Sequence, residues 1–372
     1  MTSPIRAAAA ALAAAALAGP AAAERLLGPL TLGELRSGEF EFYGQINKAL
    51  LVHDDGDAVR AYPLVDNGSS STRAGVWFRR RAADDLLLSA NFEMQWTPYA
   101  TGTVNRVDDS VNLESHLVRK AELRADTAFG RFSFGQGSTA SDGASEVDLS
   151  GTALAAYASV ADIAGGQRLA LEGGGVSGVT LASAFSDLDG LGRLVRARWD
   201  SPSVSGVTLS ASIGSDQIGS GPEDGAYDAA LRYADTLGGV LVNAAAAVSA
   251  PLGERERVNG SVAALHEATG LNAVLAAGWD SAQDGRFAYL KLGWRRTGLV
   301  TSGDTAVSID ATTGRDRLLR GSETLSFGLA AVQQVAEGGA DLYAGLRWFD
   351  VDSPTADYEP ALSFIVGARL MF

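Results

Sequence analysis

The chain contains no cysteine, only three histidines, and no surplus of positive charge. Without cysteine, neither disulfide staples nor thiolate metal sites are available, so an exported fold of this size rests on its own architecture. His53, His116 and His266 lack metal-ligand spacing, and no Gly-x-Ser-x-Gly elbow is present, which leaves only a remote Ser115–His116 pairing for hydrolytic chemistry. Forty-four acids against thirty bases give a formal charge of −14 over 372 residues, which argues against a nucleic-acid partner. Beyond the amino terminus there is no run of about 18 apolar residues, the length a spanning helix requires.

What is present begins with Met1–Ala23. One positive charge at Arg6, an Ala/Leu-rich run from Ala7 to Ala18, a Gly19-Pro20 break and Ala21-Ala22-Ala23 read as a cleaved secretory signal. Its removal leaves about 349 residues with a balance near −15. Residues 24–38 read as an amino-terminal leader with a short periplasmic helix. From Glu39 onward a period of two sets in. Phe40, Phe42, Gly44 and Ile46 alternate against Glu41, Tyr43, Gln45 and Asn47, and an acidic loop with Asp54, Asp55 and Asp57 then extends to about Ser70. That loop reads as solvated, although its three carboxylates are also compatible with a divalent cation.

Thr72, Ala74, Val76 and Phe78 alternate against Arg73, Gly75, Trp77, Arg79 and Arg81. Leu88, Ala90, Phe92 and Met94 alternate against Ser89, Asn91, Glu93 and Gln95. Polar side chains at every second position are costly in a dry core and cheap against a water-filled lumen. The expectation is therefore an all-β, transmembrane antiparallel β-barrel over residues 39–372. Long connections alternate with short ones, as outer loops alternate with inner turns. Five strands precede Gly137 and eleven follow Gly192, giving about 16; a hairpin from Arg168–Glu172 and Val179–Ser186 would make 18.

Residues 137–192 interrupt the rhythm with a long, small-residue-rich, acidic stretch. Its Gly173-x-Gly175-x-x-Gly178 fits a dinucleotide pattern by letter but precedes a strand-like stretch, which excludes that reading. No cofactor and no metal is expected. The last strand, Ala361–Phe372, puts Leu362, Phe364, Val366, Ala368, Leu370 and Phe372 on one face. As a soluble edge it would be an aggregation hazard, whereas in a barrel it pairs back to the first strand.

These segments together resemble the general Gram-negative porins. The likeness rests on STRAGVWF (Ser71–Phe78), FGRFSFGQG (Phe129–Gly137), RARWDSPSVSGVTLSASIG (Arg196–Gly214) and the terminal Phe372, in that order. It implies a homotrimer of 16-stranded barrels in the outer membrane, embedded in outer-membrane lipid and passing ions and small hydrophilic solutes. It also implies that the third loop folds inward, with Arg168–Ser186 part of it, and that acidic loop residues oppose a basic wall. Asp142, Glu146 and Asp148 become the acidic side, Arg73 the first basic wall residue, and Phe372 the closure and assembly residue. Gln136 stands where such porins commonly carry a base, so Arg79, Lys120, Arg124, Arg196 and Arg198, which alternate inward, are the substitutes. A substrate-specific channel, a barrel adhesin or enzyme, and a secreted soluble β-protein are the competing readings.

Overall fold

Strict alternation forces each strand to present one apolar and one polar face, and closing the sheet removes every free edge. The computed structural model describes residues 29–216, 225–251, 256–336 and 339–372. The chain starts with β1 (Leu30–Glu34), β2 (Gly38–Asp54), β3 (Val59–Asp66), β4 (Arg73–Ala83) and β5 (Leu86–Trp96). There follow β6 (His116–Thr127), β7 (Gly130–Ser138), β8 (Arg168–Ala170), β9 (Val176–Thr180), β10 (Arg193–Asp200) and β11 (Val207–Ser215). Next are β12 (Gly225–Leu237), β13 (Val240–Pro251), β14 (Arg257–His266), β15 (Leu271–Asp280) and β16 (Gly285–Thr297). The chain ends with β17 (Asp304–Arg315), β18 (Glu323–Ala336), β19 (Ala340–Asp352) and β20 (Ala361–Met371).

Sixteen of these strands, β2, β4–β7 and β10–β20, form a closed antiparallel ring. It closes between β2 and β20, in register from Gln45 opposite Met371 to Asp54 opposite Leu362. The outward face is apolar: on β16 and β17, Leu290, Leu292, Val307 and Ile309 are exposed, while Tyr289, Lys291, Ser308 and Asp310 point inward and are buried. Exposed apolar side chains repeated around a ring are the lipid-facing band of a membrane barrel. The turn between β12 and β13 is Gly238-Gly239, both with positive φ (59° and 84°), as the tightest hairpins require.

The expected ring of 16 strands is found, and three other expectations are corrected. Leu30–Glu34, expected within a leader with a helix, is a strand, because it pairs with the lower half of β2 from Leu30 opposite Phe42 to Glu34 opposite Gly38. The supposed acidic loop after Asp54 contains β3, which pairs with the upper half of β2 while β4 takes the lower half. β1 and β3 thus prolong the lines of β20 and β4 and add nothing to the ring count. The Arg168–Ser186 region does contain a hairpin, β8–β9, but it forms a separate two-stranded sheet, which rules out 18 strands in the ring. Alternation alone marks a strand only over Thr305–Asp310, but β17 runs to Arg315, because Ala311–Arg315 continue the ladder to both neighbours. The expected signal, residues 1–23, lies outside the described residues.

Candidate pore and constriction

The connection between β7 and β10, residues 139–192, is the third long loop and folds into the barrel. Wall side chains hold its first half. Asp228 on β12 accepts from the Ser141 backbone N–H (2.7 Å) and hydroxyl, and Arg232 donates to the carbonyls of Ala140 (3.1 Å) and Asp142 (2.7 Å). Ser261 on β14 donates to the Ala144 carbonyl (2.7 Å) and accepts from Val147 N–H (3.0 Å). Lys291 on β16 donates to Asp148. The second half is apolar: Ile163, Leu169, Leu181, Phe185 and Leu188 are buried against Leu51, Val274, Tyr289, Val332, Phe349 and Ile365. Phe185 meets Phe349 edge-on at 5.1 Å between centroids. The hairpin reaches the last long loop, where Glu172 N–H donates to Asp357 O and Glu359 N–H to Ala170 O, both at 3.0 Å.

The loop is therefore packed on the wall from β12 round to β3. On the opposite wall, formed by β4–β6 with the flanking parts of β2, β10 and β20, inward side chains are charged, the cations partly open and the carboxylates of Glu93 and Glu122 buried. Arg73 lies with Nε 3.8 Å from Glu93 Oε2. Glu93 also accepts from Arg119 Nε (2.7 Å) and the Tyr43 hydroxyl (2.9 Å), and Lys120 stands opposite it in register. Arg79 donates to Glu41 (2.6 Å) and Glu39 (3.3 Å). Arg124 bonds Glu122 (2.5 Å), and the guanidiniums of Arg79 and Arg124 lie 5.3 and 4.7 Å from the Trp77 ring centroid. Arg198 is bidentate to Asp200 and donates to the Thr139 carbonyl.

Exposure separates open from sealed inward cations, with Arg119 (15%) and Arg198 (17%) between them. The side chains of Arg73, Arg79, Arg124 and Arg369 are 21–27% exposed, whereas those of Arg196, Lys291 and Arg347 are at 0–2%. Arg196, expected on the open wall, is sealed: it donates to Glu122 and to the carbonyls of Ser138 and Gly135, both at 2.9 Å. Asp148, expected as a free acid of the constriction, is neutralised by Lys291. Asp142 is half-buried beside the Arg232 contact. Burial, then Asp187, Asp189, Asp162 and Asp142 around it, push the Glu146 carboxyl up to about 10, so at neutral pH it is uncharged. Burial raises Asp187 to about 6 and lifts Asp162 and Asp189 as well. Among the described residues no group of three or more His, Asp or Glu side chains is arranged to hold a metal ion.

Arg119, Arg232, Lys291 and Arg369 escaped the sequence reading. The register shifts between Glu93 and Met94, so two residues of β6 oppose one of β5, and Arg119 and Lys120 are both half-buried. Simple alternation admits only one of them. Arg232 and Lys291 do lie on inward positions, but nothing in a sequence reports which wall positions a loop covers.

A lipid-banded ring around a lumen narrowed by its own third loop is the construction of a pore-forming outer-membrane barrel. The chain belongs to the Gram-negative porin family, whose match spans residues 8–354. No curated protein matches it. Among solved structures it is similar to the anion-selective porin from Comamonas acidovorans (TM-score 0.60, 14% identity, 90% of this chain and 100% of that one). It is also similar to OmpF of Salmonella typhi in complex with daunomycin (0.59, 13%, 92% and 100%). A third likeness is to the trimer form of OmpT from Vibrio cholerae (0.56, 17%, 90% and 99%). At these identities the likeness concerns the fold.

Proposed function

We propose that the chain is a trimeric outer-membrane channel through which ions and small hydrophilic solutes diffuse passively, without turnover. The observation that carries this reading is the asymmetry of the lumen. The loop is packed against one arc of the wall, while the arc of β4–β6 keeps partly open arginines and a lysine over the buried carboxylates of Glu93 and Glu122. Charges at that spacing order water and ions within a Debye length of about 8 Å, enough to act across a narrow slot. Selectivity follows from the balance of Arg73, Arg79, Arg119, Lys120 and Arg124 against Glu93 and Glu122, with the loop contributing Asp142. Glu146 and Asp148 contribute little at neutral pH, since one is protonated and the other paired. The trimer is supported by the likeness to a trimeric barrel, and export by the Ala-rich amino terminus.

Liposome swelling with a graded series of neutral sugars tests the passive reading. Rates should fall steeply with solute size and rise linearly with concentration. Saturation by one solute would replace this reading with that of a substrate-specific channel.

A further inference from the structure

We infer that Lys291 is a positioning residue for permeation: from the barrel wall it fixes the middle of the third loop and thereby sets the width and charge of the slot. This deepens the channel reading and rests on it. Lys291 is fully buried, and its ammonium lies within donating distance of four acceptors on one stretch of loop. These are Asp148 Oδ2 (2.5 Å), the Ala156 carbonyl (2.5 Å), Ser150 Oγ (3.1 Å) and Thr152 Oγ1 (3.3 Å). An ammonium has three N–H donors, so its hydrogen-bonding capacity is fully used by the loop.

The wall offers a competing partner. Asp310 on β17 sits opposite Lys291 in register, the usual place for a cross-strand ion pair. Arg347 on β19 takes that carboxylate instead, through both oxygens at 2.6 and 2.8 Å. Gly328 makes the approach feasible, since a Cβ there would come within 2.3 Å of the Arg347 guanidinium. The wall thus satisfies its own acid and directs the charge of Lys291 at the loop. Thr152 is tied to the wall a second time, hydroxyl to hydroxyl with Ser308 on β17 at 2.8 Å. Residues 148–156 lie between the polar contacts of β12–β14 and the apolar half of the loop. Losing the anchor would release this segment and leave a carboxylate without its cation.

Lys291→Met tests the assignment by two independent readouts. In an Ala156→Cys background, the buried thiol should be protected from an impermeant maleimide, and adding Lys291→Met should speed labelling roughly tenfold or more as the segment opens locally. In planar bilayers Lys291→Met should raise the unit conductance and move the reversal potential toward cations. A Thr152→Cys/Ser308→Cys disulfide formed in that variant should restore both values, and reduction should undo the restoration. Rescue that depends on oxidation would not arise from general weakening of the barrel. If Lys291→Met fails to give a heat-modifiable barrel, Asp148→Asn is used in its place, with faster labelling again expected. Unchanged labelling with unchanged reversal potential in a folded variant overturns the assignment. A wild-type barrel that never conducts would overturn the channel reading instead, while the labelling comparison still judges the anchor.

Discussion

Arg73 and Glu93 show how much of the selectivity rests on single side chains. Arg73 approaches Glu93 only loosely, at 3.8 Å, while Arg119 holds the same carboxylate at 2.7 Å. Arg73→Ala therefore removes a cation from the slot without stranding Glu93, and the reversal potential under a salt gradient should move toward cation preference. Glu93→Gln should move it the other way. An unmoved potential in both variants would take this wall out of the permeation path. Arg196 behaves differently because its side chain is only 2% exposed and pairs with a fully buried Glu122. Arg124 still holds Glu122 when Arg196 is lost, so Arg196→Met should lower the thermal stability of the barrel by less than the about 3–5 kcal/mol that stranding a buried charge costs. Glu146 carries a pH prediction. Its carboxyl is raised in the folded protein to about 10, so the folded state holds a proton that the unfolded chain has released above the ordinary glutamate range near 4.5. The stability it contributes is complete below that range and is lost as pH rises toward 10. Glu146→Gln should leave conductance and selectivity unchanged at pH 7 and blunt an alkaline change in channel noise. A large change at pH 7 would mean that the residue is charged there.

At the scale of elements, regular strands were readable because a period of two survives any packing. The eleven strands after the third loop fall where alternation puts them, apart from ends that move by a few residues and the longer extension of β17. What escaped reading depends on contacts between distant segments. β1 and β3 are short and become strands only because each half of β2 offers a free edge. The bulge that turns both Arg119 and Lys120 inward depends on a register that β6 does not specify by itself. The closure strand was legible, and its terminus makes a definite prediction. Phe372 exchanges two backbone hydrogen bonds with Gly44, at 2.8 and 3.0 Å, and its ring lies where a Cβ on Gly44 would sit, at 2.6 Å. Deleting Phe372 removes both bonds, each worth roughly 0.5–1.5 kcal/mol, and Gly44→Val displaces the ring. Either change should reduce the yield of heat-modifiable barrel in the membrane. Normal yields from both would remove Phe372 from the closure.

For the whole molecule, the ring and the inward loop were accessible from the sequence because lipid outside and water inside impose a pattern on every strand. The site was less accessible. Sequence places acids on the loop and bases on the wall, but only the folded chain separates sealed charges such as Arg196, Lys291 and Asp148 from open ones such as Arg73 and Arg124. That separation leaves a lumen filled along one arc and open along the other. Single-channel recording of the purified barrel in a planar bilayer under a salt gradient tests it most directly. Stepwise, ohmic openings in threes are expected, with a reversal potential that moves toward cations in Arg73→Ala. A verified folded barrel that gives no openings would contradict it, because the third loop would then close the lumen on every side.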